Sequence, residues 1–86
     1  MKLSQKFLLH NTNDETILVP AGSADFSGIV RGNKTLGAVL ELLKTDTTEA
    51  DIVDAMKQRF DAPEGAIEQD VKTILNELRK IGALDE

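Results

Sequence analysis

The chain has no cysteine, tryptophan or tyrosine, and only one histidine and two prolines among its 86 residues. Without cysteine it can form no disulfide, no thiolate zinc site and no iron–sulfur cluster. His10 is the one imidazole, and a metal site built on it would need carboxylates gathered around it. We therefore predict a surface or strand-edge histidine and expect neither a metal nor a cofactor.

Catalytic patterns are lacking as well. The serines stand in no nucleophile-elbow sequence, and Gly28 and Gly32 do not form the spacing of a nucleotide-binding loop. A length of 86 residues favours one domain over residues 1–86 and leaves little chain for the deep clefts that house most active sites. The sequence therefore predicts a protein that is not an enzyme.

The chain also lacks a long apolar run. No stretch approaches the length of a membrane span, and residues 1–10 are too few and too polar for a signal peptide. We expect a cytoplasmic protein that does not bind a membrane.

Acidic residues are concentrated in the second half of the chain. Residues 1–44 carry five basic and four acidic groups, whereas residues 45–86 carry five basic and eleven acidic groups. Such a surface repels phosphate backbones and anionic lipid and suits a basic or neutral partner. The same charges are equally typical of a solvated face that keeps a small domain soluble.

The first third of the sequence is typical of short strands. β-prone runs cover residues 6–10, 16–19 and 25–31, and the polar residues 11–15 between the first two predict a hairpin loop. Pro20 should stop the second strand, and Gly28 indicates a bulge or a close backbone approach in the third. Three such strands need a helical layer to bury one face.

The rest of the sequence predicts three helices. Asn33 and Thr48 suit the N-caps of the first and second, Pro63 suits the opening of the third, and Gly82 suits its end. The third helix has the cleanest apolar stripe: Ile67, Val71, Ile74, Leu75, Leu78 and Ile81. The predicted fold is α+β and winged-helix-like, with three short antiparallel strands followed by a three-helix bundle.

A winged-helix arrangement raises the possibility of DNA binding. That function needs a basic recognition helix. The third helix offers Lys72, Arg79 and Lys80 against four acidic residues, Glu64, Glu68, Asp70 and Glu77. This balance is unsuited to phosphate contacts, so we expect no nucleic-acid partner and keep DNA binding as an alternative.

The run Asn33-Lys34-Thr35-Leu36-Gly37-Ala38-Val39-Leu40-Glu41-Leu42-Leu43 resembles the signature of the PqqD-like family. Asn33, Thr35 and the Glu41-Leu42-Leu43 end match it, as do Asp70-Val71 and Gly82-Ala83-Leu84 further on. Gly32 and Lys34 depart from it, because the family usually has Leu and Glu there. The resemblance extends over nearly the whole chain.

The resemblance implies a recognition element for the leaders of ribosomally made, post-translationally modified peptides. Such a module binds the precursor peptide and presents it to a radical SAM or other modifying enzyme, as in pyrroloquinoline quinone synthesis. A generic protein-interaction module with another kind of partner remains the alternative. A bare strand edge can also pair with its own copy, so a homodimer would compete with peptide binding.

We place the expected peptide site between the third strand and the third helix, where a peptide could add a strand to the sheet edge. Ile29 is the candidate floor residue, and Asp70 and Glu77 would meet a basic or polar leader residue. The alternative is that Ile74 is a core residue and Asp70 a solvated or capping carboxylate. The predicted site residues are Ser27, Gly28, Ile29, Val30, Arg31, Asp70, Thr73, Ile74 and Glu77.

Overall fold

A computed structural model describes residues 1–12, 15–21 and 30–86. The strands are β1 (Lys2–Leu3), β2 (Phe7–Asn11), β3 (Thr16–Pro20), β4 (Val30–Gly32) and β5 (Leu84–Asp85). The helices are α1 (Lys34–Leu42), α2 (Glu49–Arg59) and α3 (Ala66–Lys80). Three antiparallel strands followed by three helices confirm the predicted α+β fold.

The main sheet has the strand order β2-β3-β4. Phe7 pairs with Pro20, and Leu18 pairs with Val30, so β3 is the central strand. Pro20 is the last residue of β3 instead of the residue beyond it, and β2 begins at Phe7, one residue later than predicted. The predicted third strand is described from Val30 onward; Ser27, Gly28 and Ile29 lie outside the described residues.

A second, two-stranded sheet was not predicted. β1 pairs antiparallel with β5, with Lys2 opposite Asp85 and Leu3 opposite Leu84. The Ser4 N–H donates to the Ala83 carbonyl oxygen at 2.7 Å and extends this contact. The pairing holds residues 2–4 against the segment after α3 through backbone hydrogen bonds.

The caps of α1 and α2 are as predicted. The Asn33 side chain accepts hydrogen bonds from the N–H groups of Thr35 at 3.1 Å and Leu36 at 3.2 Å. The Thr48 hydroxyl accepts from the Asp51 N–H at 3.2 Å. Both side chains satisfy donors that have no partner inside the helix.

The start of α3 differs from the prediction. Pro63 does not open the helix; α3 begins at Ala66, after a turn in which the Ala66 N–H donates to the Pro63 carbonyl oxygen. Gly65, not Pro63, immediately precedes the helix. Pro63 therefore lies in the turn before α3 and not at the first helical position, where proline is often found.

The end of α3 is as predicted. Gly82 adopts φ +74°, a left-handed conformation that glycine reaches without strain. Its N–H donates to the Arg79 carbonyl oxygen, and the Ala83 N–H donates to that of Leu78. These two bonds form a Schellman motif, which turns the chain back so that Ala83 is buried.

The apolar side chains of the sheet and of all three helices form one core cluster. Its buried members are Phe7, Leu18, Ala38, Val39, Leu40, Leu43, Ile52, Met56, Ile67, Val71, Leu75, Leu78 and Ala83. Ile74 and Ile81 belong to the predicted stripe of α3 but are only half-buried. They therefore lie where the core meets the surface.

Candidate functional site

A groove runs between the edge strand β4 and helix α3. Its cavity volume is about 440 Å³, within the range of protein ligand sites. The residues that line it, here called the groove residues, are Val30, Arg31, Asn33, Thr35, Leu36, Asp70, Thr73, Ile74, Glu77, Leu78 and Ile81.

The helical wall of the groove follows from sequence spacing. Asp70, Thr73, Ile74 and Glu77 recur at intervals of three and four residues, which puts them on one face of α3. The face combines three polar groups with one apolar group: two carboxylates flank the Thr73 hydroxyl and the half-buried Ile74. Such a wall can contact both the side chains and the polar backbone of a bound chain.

The opposite wall is the edge of the main sheet. Within the described ranges, β4 pairs with β3 alone, through Val30, Arg31 and Gly32. Val30 is half-buried and packs against the core, whereas Arg31 is exposed. An edge strand offers backbone N–H and C=O groups to an incoming strand.

The floor of the groove is apolar. Leu78 is almost completely buried beneath it, and Ile74 and Ile81 are half-buried beside it. Leu36, from the first turn of α1, lies against the backbone of Gly32: a Cβ added to Gly32 would be 2.8 Å from the Leu36 Cβ and would overlap its Cδ2 atom. The glycine therefore lets α1 approach β4 closely, and Leu36 fills this end of the groove.

The charged groove residues differ in their pairing. The Lys80 ammonium lies 3.3 Å from the Glu77 carboxylate and partly neutralises it. Neither Arg31 nor Asp70 makes an ion pair with another described residue. Among the described residues, the groove thus presents one cation without an ion pair on its strand wall, Arg31, and one such carboxylate on its helical wall, Asp70.

A smaller cavity adjoins the groove. Its volume is about 210 Å³, and its lining residues are Thr35, Met56, Phe60, Asp61, Ala62, Ile67, Asp70 and Val71. We call it the side cavity. Thr35 and Asp70 line both spaces, so these two residues form their common boundary.

Six of the nine predicted site residues lie around the groove: Val30, Arg31, Asp70, Thr73, Ile74 and Glu77. Ser27, Gly28 and Ile29 lie outside the described residues. The role of all nine in peptide binding stays a prediction.

Five groove residues were not predicted from the sequence. Asn33 was interpreted as a cap alone, and Ile81 and Leu78 as core positions. Thr35 and Leu36 reach the groove because α1 starts immediately after β4. The sequence signal for their position is the short separation between the predicted strand, which ends at Arg31, and the predicted cap, Asn33.

Three other features bear on chemistry. His10 lies exposed on β2, opposite Ile17 in the sheet, as predicted. In the part of the chain that the structure describes, no group of three or more His, Cys, Asp or Glu residues could hold a metal ion. No helix within the described ranges is long and apolar enough to cross a membrane.

Fold and groove together define an α+β module in which a sheet edge faces the third of three helices. The chain belongs to the PqqD family: the family model for coenzyme PQQ synthesis protein D matches residues 15–84. No curated protein sequence is significantly similar to it.

Among solved structures, the fold is similar to that of TbiB1 in complex with the TbiA(beta) leader peptide. The TM-score is 0.81 at 20% sequence identity, and the match covers 99% of this chain and 95% of that one. At this identity the likeness is one of fold.

Proposed function

We propose that this chain is a peptide-binding module that captures the leader of a ribosomally made precursor peptide by β-strand addition. It presents the bound precursor to a separate modifying enzyme, such as a radical SAM enzyme. The chain itself supplies binding and no chemistry, works without a cofactor, and acts in the cytoplasm as a single domain over residues 1–86.

The observation that carries the proposal is the groove between β4 and α3. An extended peptide laid along β4 would exchange main-chain hydrogen bonds with the strand edge, and these would provide much of the affinity. Its side chains would alternate between the two sides of the new strand, so every second one would face the groove. Ile74, Leu78 and Ile81 offer these side chains an apolar surface.

Two comparisons support the proposal. The PqqD family match covers residues 15–84 and so includes β4, α1 and α3, the three elements whose residues line the groove. TbiB1, whose fold is similar over 99% of this chain, was solved with a leader peptide bound. A leader is therefore the kind of extended ligand that we assign to this groove.

The DNA-binding alternative is disfavoured by the pairing of the basic residues on α3. The Arg79 guanidinium bonds Glu86 at 2.9 Å, and the Lys80 ammonium lies 3.3 Å from Glu77. Of the three basic residues of α3, Lys72 alone makes no ion pair with another described residue. A recognition helix needs several free cations to neutralise phosphates.

Calorimetric titration tests the proposal. The purified chain is titrated with synthetic leaders of precursor peptides encoded near its gene, and its oligomeric state is measured in parallel. We expect saturable one-to-one binding at micromolar or tighter affinity, with any homodimer dissociating as peptide binds, because both would use the edge of β4. A folded monomer that binds none of these leaders would contradict the proposal and favour a generic interaction module.

A backbone N-methyl scan of the bound leader then tests the mode of binding. Each N-methyl group removes one main-chain donor without changing the side chain. In an added strand only alternate residues direct their N–H groups toward the partner strand, so the losses in affinity should recur at every second residue. Losses without this alternation would rule out strand addition even if the leader binds.

A further inference from the structure

The side cavity has an apolar interior. Met56 and Val71 are almost completely buried at its base, Ile67 is 8% exposed, and the half-buried Phe60 ring forms a wall. Ala62 and Asp61 are exposed at its mouth. A volume of about 210 Å³ accommodates one long side chain but not a folded element.

Two carboxylates, those of Asp61 and Asp70, line this apolar space. Other acidic residues of α3 already have cationic neighbours: Glu68 lies 3.4 Å from Lys57, and Glu77 lies 3.3 Å from Lys80. Neither Asp61 nor Asp70 forms an ion pair with any described residue. Two carboxylates without an ion pair among the described residues therefore line one apolar cavity.

This combination selects one kind of side chain. Lysine and arginine carry a long aliphatic stem that packs on apolar surface and a charged end that stays near water. The aliphatic stem would lie along Met56 and Phe60. The face of the Phe60 ring would also attract the nearby charged end. The charged end would reach Asp61 and Asp70, whereas a purely aliphatic side chain would leave both carboxylates unpaired.

We infer that the side cavity is a subsite for a lysine or arginine side chain of the bound leader. The inference rests on the proposed function and deepens it, because Asp70 and Thr35 join the side cavity to the groove. A peptide lying in the groove would place one basic residue beside Asp70, and this residue would fix its register along α3.

Selection from a random peptide library tests the inference, whichever leader the chain binds. A phage library of random linear peptides is selected against the wild-type chain and against the double variant Asp61→Asn, Asp70→Asn. We expect the wild type to enrich peptides with Lys or Arg at one fixed position relative to their apolar residues, and the variant to lose that preference. The inference is overturned if the peptides selected by the wild type share no basic position, or if the variant selects the same basic position. Neither outcome affects the proposed function.

A selected peptide then allows a matched comparison. Asp70→Asn should weaken its binding by up to about fivefold, the upper limit for exposed ion pairs. It should also reduce the salt dependence of binding. Asp54→Asn is the control, because this exposed carboxylate on α2 lines neither cavity. Equal losses from the two variants would indicate a general charge effect and overturn the subsite.

Ala62→Leu is a second variant, which narrows the side cavity from its exposed mouth without removing a core side chain. It should weaken the basic peptide but not the same peptide with alanine in place of its Lys or Arg. Failure of the wild type to select any peptide would overturn the proposed function, and the subsite with it.

Discussion

At the scale of single residues, the contact between Gly32 and Leu36 sets the shape of one end of the groove. The Leu36 Cγ atom would lie 3.0 Å from a Cβ at position 32, and Cδ2 would overlap it. Nothing in the spacing of the sequence predicts this contact, because it depends on how α1 leaves the edge of the sheet.

We predict that Gly32→Ala destabilises the fold. The displaced Leu36 would leave its packed position, and overpacking of this kind costs about 1–2 kcal/mol after the entropic gain of replacing glycine. The test is urea unfolding of the wild type, of Gly32→Ala, of Leu36→Ala and of the double variant. It measures the coupling free energy between positions 32 and 36. The combined loss should be smaller than the sum of the single losses; strict additivity would show that the two residues do not compete for space.

At the scale of elements, the segment after α3 is held by an ion pair across the end of the helix. The Arg79 Nε and Nη2 atoms donate to the Glu86 Oε1 atom at 3.1 and 2.9 Å. Both hydrogen bonds favour the ionised carboxyl group and lower the pKa of Glu86 from its usual 4.5. Arg79 lies in the last turn of α3, and Glu86 immediately follows β5, the strand that pairs with β1.

Because the folded pKa of Glu86 is lowered, this contact stabilises the fold above the usual carboxyl pKa and is lost as pH falls through the lowered value. An NMR titration of the Glu86 side chain should give a pKa below 4.5 in the wild type. Arg79→Gln should return it toward that value, whereas Lys80→Gln should not. An unchanged pKa in the Arg79 variant would contradict the assigned cause.

Local signals predicted most elements and missed those fixed by distant contacts. Asn33 and Thr48 mark helix starts because their caps act within three residues. The β1–β5 sheet joins segments from opposite ends of the sequence, two residues long each, and such strands are too short to show periodicity. The predicted start of α3 at Pro63 was wrong because the turn before the helix continues to Gly65.

At the scale of the whole molecule, the groove combines a predictable wall with a less predictable one. Helical spacing places Asp70, Ile74 and Glu77 on one face of α3 from sequence alone. That this face of α3 lies opposite β4 depends on how the helices pack against the sheet. The existence of the side cavity next to Asp70 depends on the same packing. We therefore expect one bound strand to contact β4 and α3 together.

Backbone amide shifts measured by NMR during titration with a bound leader show whether the peptide contacts both walls of the groove. We expect the largest changes on both walls, at Val30 to Gly32 and at Asp70 to Glu77. His10 on β2 and Lys44 after α1 serve as internal references, because they line neither cavity. Large changes confined to β2 or the exposed face of α2, without changes on either groove wall, would show that the leader does not bind between β4 and α3.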